Sequence, residues 1–211
     1  MKVVVVDYGM GNLRSVAKAI EHVAPDATVL VSGEAADVAA ADRVVVPGQG
    51  AMHDCMREFM SRGLHDVVLR AAETKPFLGI CVGMQMLFEH SEEGDTRGLG
   101  ILPGQVVRFR DAMTDASGAR LKVPHMGWNI VQPVAAHPIW QGLEPNERFY
   151  FVHSYYCVPT AQQTDTAAIT EYGVPFTCAV ARDNILAIQF HPEKSARAGL
   201  QLLTNFMSWQ P

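Results

Sequence analysis

The first half of the chain alternates short apolar runs with amphipathic stretches. Apolar runs predict four buried strands, at residues 2–7, 28–31, 44–46 and 77–80. Leu13, Val16, Ala17, Ile20 and Val23 recur at helical spacing and predict a helix after the first strand. A second helical stretch is expected over Ala51–Ala72, with a break near Gly63. Strands that alternate with helices predict a parallel sheet that is covered on both faces.

The pattern changes after Gly98. Short apolar stretches separated by turns predict strands of more antiparallel character, at 105–110, 125–131, 148–158, 167–172, 176–182 and 185–190. A last helix is expected from near Lys194, with Ala196, Leu200, Leu203 and Met207 as its buried stripe. Because no linker or repeat divides the chain, residues 1–211 are expected to form one α/β domain. Its expected architecture is an open, mostly parallel sheet with flanking helices and an additional antiparallel portion in the second half.

Composition narrows the class of protein further. The chain has 211 residues, of which 48% are hydrophobic, so it is expected to be globular. A net charge of −5 argues against nucleic acid as a partner. No apolar stretch reaches the roughly 18 residues of a membrane span. The four cysteines form no Cys-x-x-Cys pair and are too few for a disulfide framework, which indicates reduced thiols and a cytoplasmic location.

Cys81 lies in the pattern Gly79-Ile80-Cys81-Val82-Gly83 at the end of a predicted strand. This is the cysteine form of a strand–turn–helix elbow, in which a tight turn exposes a nucleophile. A helix beginning at Val82 would aim its first N–H groups at an oxyanion and would favour a thiolate. The alternative is an ordinary buried cysteine at a strand end, which is also what Cys55, Cys157 and Cys178 are expected to be.

His191 and Glu193 follow another apolar strand, two residues apart around Pro192. Proline favours an extended conformation at the residue before it. Side chains at i and i+2 of an extended segment share a side, with Cα atoms about 6–7 Å apart. Glu193 is therefore placed to orient an imidazole that serves Cys81 as base. A surface His-Pro turn is the alternative. The remaining histidines show no metal-ligand spacing, so neither a metal nor a cofactor is expected.

A third candidate element, Pro47-Gly48-Gln49-Gly50, follows the strand at 44–46. Ligand sites of open α/β sheets collect at the carboxyl ends of the strands. Glycines let the backbone turn its N–H groups toward a ligand. The loop is therefore a candidate oxyanion hole, together with Val82, although an ordinary β-to-α turn has the same composition.

These three motifs together resemble the class I glutamine amidotransferases, over nearly the whole chain. The resemblance implies a Cys81–His191–Glu193 triad that releases ammonia from glutamine. It also implies that Gln85, Glu93, Ser154 and Tyr155 contact the substrate. Gln85 lies one helical turn beyond Cys81, which places its amide toward the same site. The chain departs from the family at position 49, where Gln49 replaces a small or aliphatic residue.

Four further segments are similar to the glutaminase subunits of imidazole glycerol phosphate synthase. They lie at residues 7–15, 124–129, 151–155 and 191–195. The resemblance implies histidine biosynthesis and a heterodimer with a (β/α)8-barrel cyclase that receives the ammonia. Asn12, Arg14 and Lys194 lie near the mouth of the site by sheet topology, and the resemblance adds Trp128 to this partner-facing rim. Core packing is the alternative for Trp128.

Four other functions remain as alternatives. Gly9 and Gly11 follow a strand as in a dinucleotide site, with Glu34 as the ribose acid, but Arg14 occupies the third glycine position. A cysteine hydrolase of the same elbow class would share Cys81 and His191, and a glutaminase serving another ammonia acceptor would share the whole triad. A non-enzymatic binding module would lack a thiol that a glutamine analogue alkylates.

Overall fold

A computed structural model describes residues 1–160 and 165–211. In the first half the strands are β1 (Lys2–Val6), β2 (Thr28–Ser32), β3 (Arg43–Gly48) and β4 (Phe77–Cys81). The helices there are α1 (Leu13–Val23), α2 (Ala35–Ala39), α3 (Met52–Ser61), α4 (His65–Thr74) and α5 (Val82–Gln85). The expected break near Gly63 separates α3 from α4. None of these helices, nor any other in the described ranges, has the length and hydropathy that a membrane crossing requires.

The second half consists mainly of strands. They are β5 (Phe88–Ser91), β6 (Thr96–Arg97), β7 (Leu102–Arg108), β8 (His125–Ile130), β9 (Gln132–Pro133), β10 (Arg148–His153), β11 (Tyr155–Pro159), β12 (Thr166–Glu171), β13 (Pro175–Arg182) and β14 (Ile185–Ile188). Two 3₁₀ turns, Pro138–Trp140 and Pro192–Lys194, and a C-terminal helix, Ala196–Ser208, complete the described elements.

One large sheet runs in the order β2-β1-β3-β4-β14-β13-β11-β7-β5-β6. Its first five strands are parallel, and β13, β11 and β7 continue it in antiparallel pairing. Strands β3, β4 and β14 are buried along their whole length because helices cover the parallel part on both faces. The mixed α/β class is the one that the apolar pattern predicts.

Three details of the prediction are wrong. Residues 148–158 form two strands rather than one: β10 pairs with β8 in a separate two-stranded sheet, whereas β11 joins the large sheet. The apolar pattern continues across Ser154 because each strand buries side chains of its own. Strand β5 was missed. In the C-terminal helix Ala196 is exposed and Leu200 half-buried, because the buried face is centred on Leu202, Leu203 and Phe206.

Candidate active site

Cys81 occupies a strained turn between β4 and α5. Its backbone has φ 57° and ψ −112°, a conformation that few residues other than glycine adopt. The two flanking glycines are required by space. A Cβ on Gly83 would lie 1.9 Å from the carbonyl oxygen of Val46, and one on Gly79 would lie 2.9 Å from the carbonyl oxygen of Gly83. The elbow therefore depends on close contact between α5 and the adjoining strands.

His191 and Glu193 follow β14, which is the parallel neighbour of β4. His191 has the extended conformation expected before proline, with φ −103° and ψ 99°. Its Nδ1 lies 2.9 Å from Glu193 Oε1, and both side chains are shielded from solvent. The main chain of His191 is fixed as well, because its N–H donates to the Tyr150 carbonyl and its own carbonyl accepts from Ser195 Oγ.

The imidazole of His191 is set up to carry a proton. Its second nitrogen, Nε2, is buried and forms no fixed hydrogen bond in the described residues, and the Cys81 side chain interacts with this ring. Burial alone would lower the pKa of His191, but the negative charges of Cys81 and Glu193 outweigh it and raise that pKa above its ordinary value of 6.5. The raised pKa favours the protonated form of the His191 imidazole beside Cys81 and Glu193.

Asn12, which was predicted as a rim residue, also reaches the triad. Its Nδ2 donates to Glu193 Oε1 at 3.3 Å. The glutamate oxygen that orients His191 thus has a second donor, from the start of α1. Nothing in the local pattern around residue 12 indicates this contact, because the two residues are 181 positions apart.

The loop at Pro47–Gly50 lies beside the nucleophile, since Gly48 pairs with Cys81 across β3 and β4. Tyr8 is fully buried beneath the loop and donates its hydroxyl to the Pro47 carbonyl at 2.8 Å. A Cβ on Gly48 would lie 2.7 Å from that hydroxyl. Gly50 has φ +99°, which favours glycine, and Gln49 is exposed. The Cys55 thiol donates a hydrogen bond to the Gln49 carbonyl, with an Sγ–O distance of 3.5 Å.

A cavity of about 320 Å³ opens over the nucleophile. This volume suits an amino-acid-sized ligand. The lining combines two members of the predicted triad, two residues of the loop and the residues predicted to contact substrate: Gln49, Gly50, Cys81, Val82, Gln85, Glu93, Pro124, Val152, His153, Ser154, Tyr155 and His191. Sequence reasoning missed Pro124, Val152 and His153, whose proximity follows from the pairing of β8 with β10 rather than from a local motif.

Two of the predicted substrate residues already have protein partners. Glu93 Oε2 accepts the backbone N–H of Met52 at 2.7 Å, at the first turn of α3. Gln85 Nε2 donates to the Tyr155 carbonyl and to Gln189 Oε1, both at 3.1 Å. Gln189, whose Nε2 lies 3.7 Å from Cys81 Sγ, was not predicted as a site residue.

The residues predicted to face a partner lie at the surface. Arg14 is exposed, and Trp128 is 48% exposed, which excludes core packing as its role. The Trp128 ring packs edge-on against Tyr150, and the Lys194 ammonium lies 5.8 Å from the centre of the Tyr150 ring. Met126, on the same strand as Trp128, is 62% exposed.

The other cysteines do not lie on a strained turn, and His153, which lines the same cavity, is paired with a histidine rather than a carboxylate. Cys55, Cys157 and Cys178 are buried free thiols, and burial raises the pKa of each, to about 11 for Cys55. His125 and His153 form a buried pair, with Nδ1 of the first 2.9 Å from Nε2 of the second. Among the described residues no group of histidine, cysteine and acidic side chains is arranged to hold a metal ion.

This arrangement has the parts of a covalent acyl-transfer site. A thiol on a strained turn, a buried imidazole oriented by a carboxylate, and a glycine loop beside the sulfur meet at one cavity. Such a set attacks an amide or ester carbonyl and holds the resulting oxyanion.

Comparisons with known proteins agree with this chemistry. A family model described as Glutamine amidotransferase class-I matches residues 4–209. Imidazole glycerol phosphate synthase subunit HisH from Aromatoleum aromaticum is 66% identical over 210 residues, covering 99% of each chain. The protein of that name from Thiobacillus denitrificans is 63% identical over 210 residues, covering 99% of this chain and 92% of the relative.

A solved structure shares the fold at much lower identity. A putative GMP synthase subunit from Thermoplasma acidophilum superposes with a TM-score of 0.71 at 19% identity, covering 98% of this chain and 92% of its own. This similarity shows the fold alone, whereas the family match and the full-length relatives show the family. The chain belongs to the class I glutamine amidotransferase family.

Proposed function

We propose that residues 1–211 form a single glutaminase domain that hydrolyses glutamine to glutamate and ammonia. We further propose that the ammonia passes to a (β/α)8-barrel cyclase subunit for imidazole glycerol phosphate synthesis in histidine biosynthesis. The observation that carries the proposal is the meeting, at one cavity, of Cys81 on its strained elbow and of His191, which Glu193 orients. The naming of the full-length relatives as subunits of imidazole glycerol phosphate synthase supports the pathway and the existence of a partner.

In the proposed mechanism the Cys81 thiolate attacks the side-chain amide carbon of glutamine. The N–H groups of Val82 and of the loop Gly48–Gly50 stabilise the oxyanion of the tetrahedral intermediate. The imidazolium of His191 then protonates the departing nitrogen, which leaves as ammonia, and a thioester remains on Cys81. His191 next removes a proton from water, which attacks the thioester, so that glutamate leaves and the thiolate is restored.

Three residues of the cavity wall are assigned to the two charged ends of glutamine. The Glu93 carboxylate accepts one hydrogen bond from Met52 and has further acceptor sites, with which it would bind the α-ammonium. Ser154, between β10 and β11, and Tyr155, the first residue of β11, would face the α-carboxylate. Gln85 presents its remaining amide oxygen to substrate because its nitrogen is committed to Tyr155 and Gln189.

The chemistry of ammonia supports a docked acceptor. At neutral pH free ammonia is mostly ammonium, which is not a nucleophile, so a glutaminase serves biosynthesis best when its product passes directly to the next site. The side chains near the cavity mouth are the proposed docking face: Asn12, Arg14, Trp128 and Lys194. Such a complex is expected to be a cytoplasmic heterodimer.

The decisive experiment measures glutamate formation by the purified chain alone, with the cyclase, and with the cyclase and its nucleotide ligand. Cys81→Ser should lose at least about 10⁴-fold in glutamine hydrolysis while keeping its melting temperature. With ammonia supplied directly, the mutant complex should still form imidazole glycerol phosphate. Wild-type glutamate production by Cys81→Ser would overturn the assignment of the nucleophile. Active hydrolysis without any response to the cyclase would instead favour another ammonia acceptor.

A further inference from the structure

Gln189 is a buried polar side chain at the back of the site that the mechanism above does not use. It follows β14, whose last residue, Ile188, pairs with Ile80, so it stands opposite Cys81. The side chain is inaccessible to solvent, and its Nε2 lies 3.7 Å from Cys81 Sγ. A buried amide that faces a sulfur with its nitrogen is a donor to the thiolate rather than a packing group.

The orientation of the Gln189 amide is dictated by its neighbours. The Tyr155 carbonyl can only accept, so Gln85 must turn its nitrogen toward it. The second hydrogen on Gln85 Nε2 is then donated to Gln189, which must accept it with its amide oxygen. The Nε2–Oε1 distance is 3.1 Å. The nitrogen of Gln189 is thereby left for Cys81. The Tyr155 carbonyl thus fixes the orientation of the Gln85 amide, and the Gln85 amide fixes that of Gln189. As a result, an N–H of Gln189 points at Cys81 Sγ.

We propose that Gln189 is a further residue of the catalytic site, whose N–H holds the Cys81 sulfur in place throughout the reaction, and that Gln85 acts through it as a positioning residue. This deepens the proposed glutaminase function and rests on it. His191 alternates between donor and acceptor as it moves its proton. Gln189 cannot ionise, so its donor stays on the sulfur during attack, thioester formation and release.

The test follows the reactivity of the thiol rather than turnover. Iodoacetamide alkylation of Cys81 in the full chain is followed against pH by peptide mapping. The titratable groups that interact with this sulfur are His191, Tyr8, Cys55 and Cys157. All four remain in the variants, so a difference in profile belongs to position 189.

Gln189→Met keeps length and removes the donor. Its half-maximal alkylation rate should move to higher pH by about one unit, because a hydrogen bond to a charged group is lost. With the cyclase present, kcat should fall by roughly tenfold with little change in KM for glutamine. Gln201→Met, a glutamine bonded to Asn205 in the C-terminal helix, is the matched control and should follow the wild type.

Gln189→Leu also removes the N–H without adding a charge, and it carries the test if Gln189→Met does not fold. This variant should also shift the pH of half-maximal Cys81 alkylation upward. A folded variant with the wild-type profile would refute the role of Gln189 and leave the glutaminase proposal standing. Absence of selective Cys81 alkylation in the wild type would overturn both.

Discussion

Asn12 Nδ2 and His191 Nδ1 converge on one atom, the Oε1 of Glu193, at 3.3 and 2.9 Å. The carboxylate oxygen that orients the imidazole is therefore itself oriented from the opposite end of the chain. Glu193 Oε2 has no hydrogen-bond partner in the described residues. Two donors on one oxygen fix the rotation of the carboxylate, and with it the direction in which His191 offers its second nitrogen.

The bond from Asn12 should be measurable in catalysis. Asn12→Ala should lower kcat for glutamine hydrolysis by roughly fivefold to tenfold, because a donor to a buried carboxylate is removed. Ser15→Ala is the control, since Ser15 lies three residues away, is exposed and has no proposed role in the site. Initial rates of glutamate formation at saturating glutamine compare the two variants. Equal activity of both variants would mean that Asn12 does not support the triad.

The members of the triad should differ in severity. His191→Ala should cost about as much as loss of the nucleophile, on the order of 10⁴-fold or more, because Cys81 and His191 act as a unit. Glu193→Gln should cost less, since Glu193 orients the ring and transfers no proton. Single-turnover rates of thioester formation rank the variants. A ranking with Glu193→Gln below His191→Ala would contradict the orienting role.

Gly83→Ala should destabilise the fold strongly. Its Cβ would lie 1.9 Å from the Val46 carbonyl oxygen, and both groups belong to backbone that cannot move apart cheaply. A loss of roughly 3 kcal/mol or more in the free energy of unfolding is expected. Gly63→Ala tests the alternative cost of backbone strain, because Gly63 has φ +66° but open space around it. That variant should lose only about 1–2 kcal/mol in urea unfolding; equal losses would show that collision is not the cause.

The buried pair of histidines should make the protein less stable in acid. Burial lowers the pKa of His125 to about 4 and that of His153 to about 3. The unfolded chain takes up these protons below about pH 6.5, whereas the folded chain does not, so stability is lost as pH falls from 6.5 toward 4. Each group contributes about 1.4 kcal/mol per pH unit in that window.

Urea unfolding between pH 7 and pH 5 measures this dependence. His125→Gln removes one of the two titrations and should give a shallower fall in stability than the wild type. His22→Gln, at an exposed position on α1, should leave the slope unchanged. Parallel slopes for His125→Gln and the wild type would contradict the buried, neutral state of His125. The raised pKa of His191 acts in the opposite direction in all three proteins and cancels from the comparison.

Trp128→Ala should separate stability from docking. Because the ring is 48% exposed, the melting temperature should stay within about 2 °C of the wild type, while the affinity for the cyclase falls. Trp209→Ala supplies the contrast, since Trp209 is 5% exposed and its truncation should cost roughly 3–5 kcal/mol. A melting scan measures the stability of both variants, and a titration with the barrel subunit measures their affinity for it. Strong destabilisation with unchanged affinity would refute the docking role of Trp128.

The sequence predicts well those features that depend on residues close together along the chain. Strands β1, β3 and β4 contain nearly continuous apolar runs because both of their faces are buried. His191 and Glu193 are two residues apart, so one extended segment suffices to bring them together. The elbow glycines are predictable for the same reason, since the collision they avoid follows from the turn itself.

Contacts between distant segments leave no such pattern. Asn12 and Gln189 each stand beside a predicted motif, yet their partners are set by which strands become neighbours in the sheet. The division at Ser154 escapes detection because β10 and β11 are both half-apolar strands, and periodicity does not reveal a change of sheet. Glu93 shows a further limit, because its bond to Met52 depends on where α3 begins.

The proposed catalytic groups are dispersed along the chain, so an intact site indicates an intact fold. Cys81 and His191 are carried by adjacent strands whose pairing closes the middle of the sheet, and Asn12 enters from the first strand's end. No short contiguous fragment holds the nucleophile, its base and the asparagine at once. A reagent that requires all three would therefore count intact molecules in a preparation, and its stoichiometry would report the fraction of chains whose sheet is complete.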